Sequence, residues 1–167
     1  GNEIGVGRGI KESNVPREDI FVTSKVWNSD QGYDSTLKAF EKSLKRLDME
    51  YMDLYLIHWH KPASVDTWKA LEKLYREGLV KTIGVSNFTE AHLDDLEKKT
   101  EIMPMVNQIE LHPQFPQKEL KQYCEKKNII IEAWSPLMQG KIFSLPAVTQ
   151  VAENNNCTIA QLAIIWQ

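Results

Sequence analysis

Residues 51–88 read YMDLYLIHWHKPASVDTWKALEKLYREGLVKTIGVSNF, and the order of patterns in this stretch decides the fold. It opens on one run rich in apolar and aromatic residues, 51–59, and closes on another, 82–88, each apolar on both alternating sets of positions. Such runs belong to strands covered on both faces. Between them Trp68, Leu71, Leu74 and Tyr75 recur at helical spacing over residues 65–77, and Gly78 stands where a left-handed residue ends a helix. Two covered strands joined by a helix make a βαβ unit, and hence a parallel sheet.

The same alternation continues on either side. Residues 20–27 (IFVTSKVW), 105–111 (MVNQIEL) and 128–134 (NIIIEAW) read as further strands, so strands start at 20, 51, 82, 105 and 128. That spacing is the repeat of a (β/α) array rather than of a helical solenoid. Asp34 is placed to cap a helix running to Leu47, with Leu37, Phe40, Leu44 and Leu47 on its inward face. Thr89 opens another helix that ends near Thr100. Helices follow over 117–127, 146–154, with Pro146 at its first position, and 159–167. The first residues suggest a helix with Asn2 near its cap. The expected fold class is α/β, a (β/α)8 barrel present as about five βα units in one partial domain, residues 1–167. A complete barrel takes roughly 250 residues, so the first two strands and the last are expected to lie outside this sequence. A doubly wound sheet is the competing architecture; the GVGRG run at 5–9 resembles its Gly-rich turn, but no strand precedes it here.

Composition narrows the functions. Hydrophobic residues make up 42% and charged residues 26%, as in ordinary globular domains, which removes disordered and collagen-like classes. The net charge of −3, with both signs interspersed, offers no basic face to nucleic acid. Cys124 and Cys157 have no CxxC spacing and read as free thiols of a reducing compartment, and no metal site is expected. No run approaches the roughly 18 apolar residues of a membrane span. The expectation is a cytoplasmic protein without membrane partner.

Polar and aromatic side chains interrupt each strand near its carboxyl end, where parallel barrels build their sites. They are Lys25, Trp27 and Asn28, then His58 and Trp59, Ser86 and Asn87, Gln108 and Glu110, and Trp134 and Ser135. Singly each has an ordinary reading. A lysine at a strand end usually keeps its head in water, a histidine in an apolar strand is usually a satisfied core residue, tryptophans usually pack, and Ser-Asn starts turns. Their recurrence at equivalent ends of successive strands points to one shared site.

The strings GNEIGVG, VTSKVWN, DLYLIHW, GLVKTIGVSNF, PMVNQIELHP and EAWSPLMQG resemble, in order and spacing, the aldo-keto reductase family. KESNVPREDIFVTSKVWN and EAWSPLMQG look most like bacterial glyoxal and methylglyoxal reductases and 2,5-diketo-gluconate reductases. The resemblance implies NADPH-dependent reduction of small aldehydes and ketones by hydride transfer, with NADP(H) as cofactor. Of the family's Asp, Tyr, Lys, His tetrad it assigns Lys25 and His58; the tyrosine and aspartate would precede Gly1. It assigns Ser86, Asn87 and Gln108 to the nicotinamide carboxamide, Trp134 to stacking on the ring, and Ser135, Leu137 and Gln139 to the pyrophosphate. Trp27 and Trp59 resemble walls of the substrate pocket, which suits a small carbonyl partner. The family residues for the 2′-phosphate would follow Gln167. His60 departs from the family, which commonly has proline after His-Trp; beside the substrate loop it either tunes specificity or is simply solvated.

The intact protein is expected to be a monomer, and the 167 residues alone to be inactive. The alternative reading is a non-catalytic barrel fragment, pseudoenzyme or nucleotide-sensing subunit.

Overall fold

A computed structural model describes residues 1–167. Its strands are β1 (Thr23–Val26), β2 (Met52–Ile57), β3 (Val80–Ser86), β4 (Val106–Glu110) and β5 (Ile130–Trp134). Its α-helices are α1 (Glu3–Glu12), α2 (Tyr33–Leu47), α3 (Ser64–Arg76), α4 (Glu90–Lys99), α5 (Lys118–Lys126), α6 (Pro146–Asn154) and α7 (Ile159–Ile165). Hydrogen-bonded strands follow chain order, β1-β2-β3-β4-β5, as successive βα units require. Two compact units divide the chain, Gly1–Asn107 and Gln108–Gln167.

In the first unit β2 is buried at every residue, Asp53 among otherwise apolar and aromatic side chains. It pairs in parallel with both neighbours: Lys25 lies opposite Leu56 and Val26 opposite Ile57, while Leu56 faces Gly84 and Ile57 faces Val85. Trp27, His58 and Ser86 therefore emerge one residue beyond the same row. Leu54, Leu56 and Val106 pack together with Met105. Gly84 belongs to this layer because a β-carbon there would sit 2.6 Å from the Val106 carbonyl oxygen and 2.7 Å from Leu56 Cδ2. Gly84→Ala is expected to cost about 1–3 kcal/mol through overpacking, seen as a lower urea midpoint at unchanged slope.

Helices supply the rest of this core. Phe40 of α2 meets Tyr55 edge-on with ring centroids 5.1 Å apart. Trp68, Leu71 and Leu74 of α3 and Leu93 and Leu96 of α4 are buried. Helix α3 ends as its sequence predicts: Gly78 takes φ +74°, and Leu79 N–H bonds the Leu74 carbonyl at 3.0 Å. Helix α1 spans the GVGRG run, so the run is helix rather than a phosphate loop, and Gly7 lets that helix approach the Leu47 backbone.

Two expectations are corrected. Asp34 does not cap α2; the cap position is Gly32 at φ 118°, whose N–H bonds the Thr67 hydroxyl at 2.8 Å, and Asp34 sits within the first turn. A carboxylate there favours the helix dipole without being the cap. Nor is every strand covered on both faces. The outermost strands β1 and β5 are partly open, and Ile130 at the start of β5 is 66% exposed.

A buried carboxylate braces the entry to β2. Asp53, with a side chain only 5% exposed, lies 2.7 Å from Arg17 and 3.3 Å from Lys81, and accepts the Val22 N–H at 2.9 Å. Burial alone would push its pKa up; the Val22 N–H, Arg17 and Lys81 outweigh burial and hold it below the usual carboxylate value.

In the second unit Leu111 N–H bonds the Trp134 carbonyl at 3.3 Å. Met138, Ile142 and Ala163 form its core, with Leu145, Val148 and Ile159 packed around them. Pro146 occupies the first turn of α6 as expected, and Thr158 and Gln161 cap α7 reciprocally.

Candidate active site

The β1–β2–β3 register brings the expected residues of the first unit to one rim. The imidazole of His58 stands between two indoles, with its centroid 4.7 Å from Trp27 and 6.5 Å from Trp59. Both indoles are largely open, Trp27 at 59% and Trp59 at 44% exposure, so neither belongs to the core. Lys25 reaches the same place. Lys25, Trp27 and His58 line one open cavity of about 850 Å³, to which α1, α2 and β2 also contribute. Burial first, and the Lys25 ammonium second, hold the His58 pKa below its ordinary 6.5, so the ring is neutral at pH 7.

Asn87 follows β3 in the left-handed region at φ 61°, a conformation asparagine tolerates. Its side-chain amide donates to the His58 carbonyl and to the buried Ser86 hydroxyl, each at 3.1 Å. The two loops that follow β2 and β3 are thereby tied together.

A phenol, that of Tyr55, also lines the cavity. Burial, then the negative charges of Glu3 and Asp30, push its pKa well above the ordinary tyrosine value. That is the wrong direction for a proton donor near neutrality. Glu3 itself is held ionised: burial opposes the charge, and bonds from Ser43, from Ser24 at 2.9 Å and from Arg46 at 3.3 Å prevail.

In the second unit Gln108 is buried and donates to the Glu132 carboxylate at 2.9 Å. Trp134 closes β5, half-buried. Beyond it the SPLMQG segment folds into tight turns, with Ser135, Met138, Gln139 and Gly140 at φ 55°, 53°, 54° and 90°. Within it the Met138 N–H bonds the Ser135 carbonyl at 2.8 Å and the Gly140 N–H the Leu137 carbonyl at 2.9 Å. Leu137 leads into the 3-10 stretch Met138–Ser144, and Gln139 is exposed.

The model of the Aldo/keto reductase family matches residues 1–167. The chain belongs to the aldo/keto reductase family. It is 58% identical over 166 residues to the glyoxal reductase of Bacillus subtilis (strain 168), covering 99% of this chain and 60% of that protein. An aldo/keto reductase from Brucella melitensis superposes with TM-score 0.94 at 52% identity, over 98% of this chain and 64% of that one. A mutant of Gox0644 in complex with NADPH superposes with TM-score 0.89 at 47% identity, over 97% and 59%. The chain thus spans about 60% of the length of the relatives it matches.

Several contacts within each unit escaped the sequence reading. Gln31 donates to the Trp59 carbonyl at 2.7 Å and accepts from Ser64 at 3.1 Å, fastening the loop after β2. His92 on α4 stacks against His60. Glu132 receives Gln108. None has a local signal, because each partner lies on another βα unit.

Proposed function

We propose that the protein carrying this chain reduces small aldehydes and ketones, with glyoxal and methylglyoxal as the type substrates, using NADPH. The observation that carries the reading is the placement of Lys25 and neutral His58 in one cavity beside the open ring of Trp27. Support comes from the relative named glyoxal reductase and from the NADPH complex of a structural neighbour.

The residues for the cofactor fit it in their chemistry. Ser86, Asn87 and Gln108 offer the hydroxyl and amide groups that a carboxamide needs, Trp134 offers a half-buried aromatic face, and Ser135, Leu137 and Gln139 lie on a turn with a hydroxyl and an exposed amide for a pyrophosphate. When bound, NADPH supplies the hydride. The remaining work falls to this chain's side chains. Nδ1 of His58 is buried without a hydrogen-bond partner; an orphan acceptor costs less than an orphan donor, so the proton belongs on Nε2. Nε2–H then donates to the carbonyl oxygen and orients it. The Lys25 ammonium supplies positive charge where oxygen gains negative charge, and it lowers the pKa of a phenol placed against it. Trp27 and Trp59 exclude water from one side of a small substrate.

The test is the loss of NADPH absorbance with methylglyoxal, in a polypeptide that extends these residues with a segment supplying the tyrosine and aspartate. Turnover is expected. Tight NADPH binding without turnover on any aldehyde would favour a nucleotide-sensing role instead.

A further inference from the structure

The roles proposed for the rim leave His60 unused. It follows Trp59 on the loop after β2, half-buried, and its ring lies flat against that of His92 on α4, with centroids 3.7 Å apart and planes 5° from parallel. Phe88 closes the group edge-on, 5.4 Å from His60 and 5.6 Å from His92. Phe88 is itself immobilised, since Asn107 Nδ2 donates to its carbonyl at 2.9 Å and its N–H donates to Asn107 Oδ1 at 3.4 Å. Nδ1 of His92 accepts the Thr89 N–H at 3.3 Å and completes the cap of α4.

The loop bearing His58 and Trp59 is therefore fastened at three points: Asn87 on the His58 carbonyl, Gln31 on the Trp59 carbonyl, and the imidazole stack. Among these three only the stack contains groups that titrate near neutrality. Two imidazolium rings face to face at this distance repel, and a proton on His92 Nδ1 would remove the acceptor for Thr89. The surrounding charges are mixed. Asp95 on α4 favours a cation at His60 while Lys61 opposes it, and Asp95 is itself engaged by Lys99 at 2.6 Å with Lys98 nearby. Burial and then His92 prevail and hold the His60 pKa below its ordinary value.

We propose that His60 is a positioning residue for Trp59: stacked on His92 it holds the loop that carries Trp59 against α4, and protonation of His60 releases that loop and weakens carbonyl binding. This rests on the reading of Trp59 as a pocket wall. Because the folded pKa is lowered, the contribution of the stack is present above the ordinary histidine value of 6.5 and is lost as pH falls through the lower folded value.

The experiment is an NMR titration of the 167-residue chain that follows the His60 imidazole together with the Trp59 indole N–H, assigned with Trp59→Phe. The Trp59 signal is expected to move with the same midpoint as His60. His60→Phe, which keeps a flat ring but carries no charge, is expected to abolish that movement, and His92→Gln, which keeps an acceptor for Thr89, to place Trp59 at its acid position at neutral pH. A Trp59 signal that stays still while His60 titrates, or that keeps its midpoint in His60→Phe, overturns the proposal. In turnover assays KM for methylglyoxal should rise about tenfold for each pH unit below the midpoint, as the competent fraction falls, with kcat less affected and with no such rise in His60→Phe. Absence of turnover at every pH would count against the proposed function, while the Trp59 titration would still decide whether the stack positions the wall.

Discussion

Lys25→Met is expected to lower kcat/KM for methylglyoxal by about 10²- to 10⁴-fold, the range general acid catalysis contributes. The substitution keeps the length and apolar stem of the side chain and removes only the ammonium. Lys25 lines the cavity with His58 and Trp27, so the change acts where the carbonyl oxygen would gather charge. The loss should fall mainly on kcat, because an ammonium that assists only as charge develops adds little to ground-state binding. NADPH affinity should stay nearly constant, as none of the residues proposed to hold the cofactor is altered. Retention of full turnover would remove Lys25 from the chemistry.

Asp53→Asn is expected to cost about 3 kcal/mol of folding stability, the low end of what removing one member of a buried ion pair costs. Arg17 carries most of that loss. Its side chain is 23% exposed, so it keeps an uncompensated charge out of water, whereas Lys81, at 52%, turns to solvent when its partner disappears. Lys81→Met should accordingly weaken the protein far less. The same carboxylate sets an acid limit: its folded pKa is lowered, so its contribution is present above the unfolded value near 3.8 and is lost as pH falls through the folded one. Urea unfolding at neutral and acid pH checks both statements, and the difference between wild type and Asp53→Asn should shrink in acid.

The sequence makes the sheet legible because covered parallel strands need apolar residues on both sides of the pleat, and Leu54, Leu56, Ile57, Ile83 and Val85 meet that need. The rim of the first unit is legible for the complementary reason: Lys25, His58 and Ser86 break the apolar pattern at or just beyond the carboxyl ends of their strands. The strand Ile130–Trp134 shows the limit of the pattern. Its apolar run reads as doubly covered, yet it is the last strand in the sheet order and Ile130 faces solvent. Helix starts mislead where several candidates cluster. Asp34 has the chemistry of a cap, but Gly32 alone tolerates the φ of 118° that the turn requires. Contacts such as Gln31 with Trp59, or His60 with His92, join side chains of different units, and periodicity within one element carries no trace of them.

The most direct measurement of the central claim, that Lys25 and His58 face one another at the rim, is the imidazole titration of His58 in wild type and in Lys25→Met. Burial holds the His58 pKa down in both proteins, but the nearby ammonium contributes only in the first. The His58 midpoint is expected to move upward in Lys25→Met, toward 6.5. A His58 midpoint that is the same in the two proteins would contradict it.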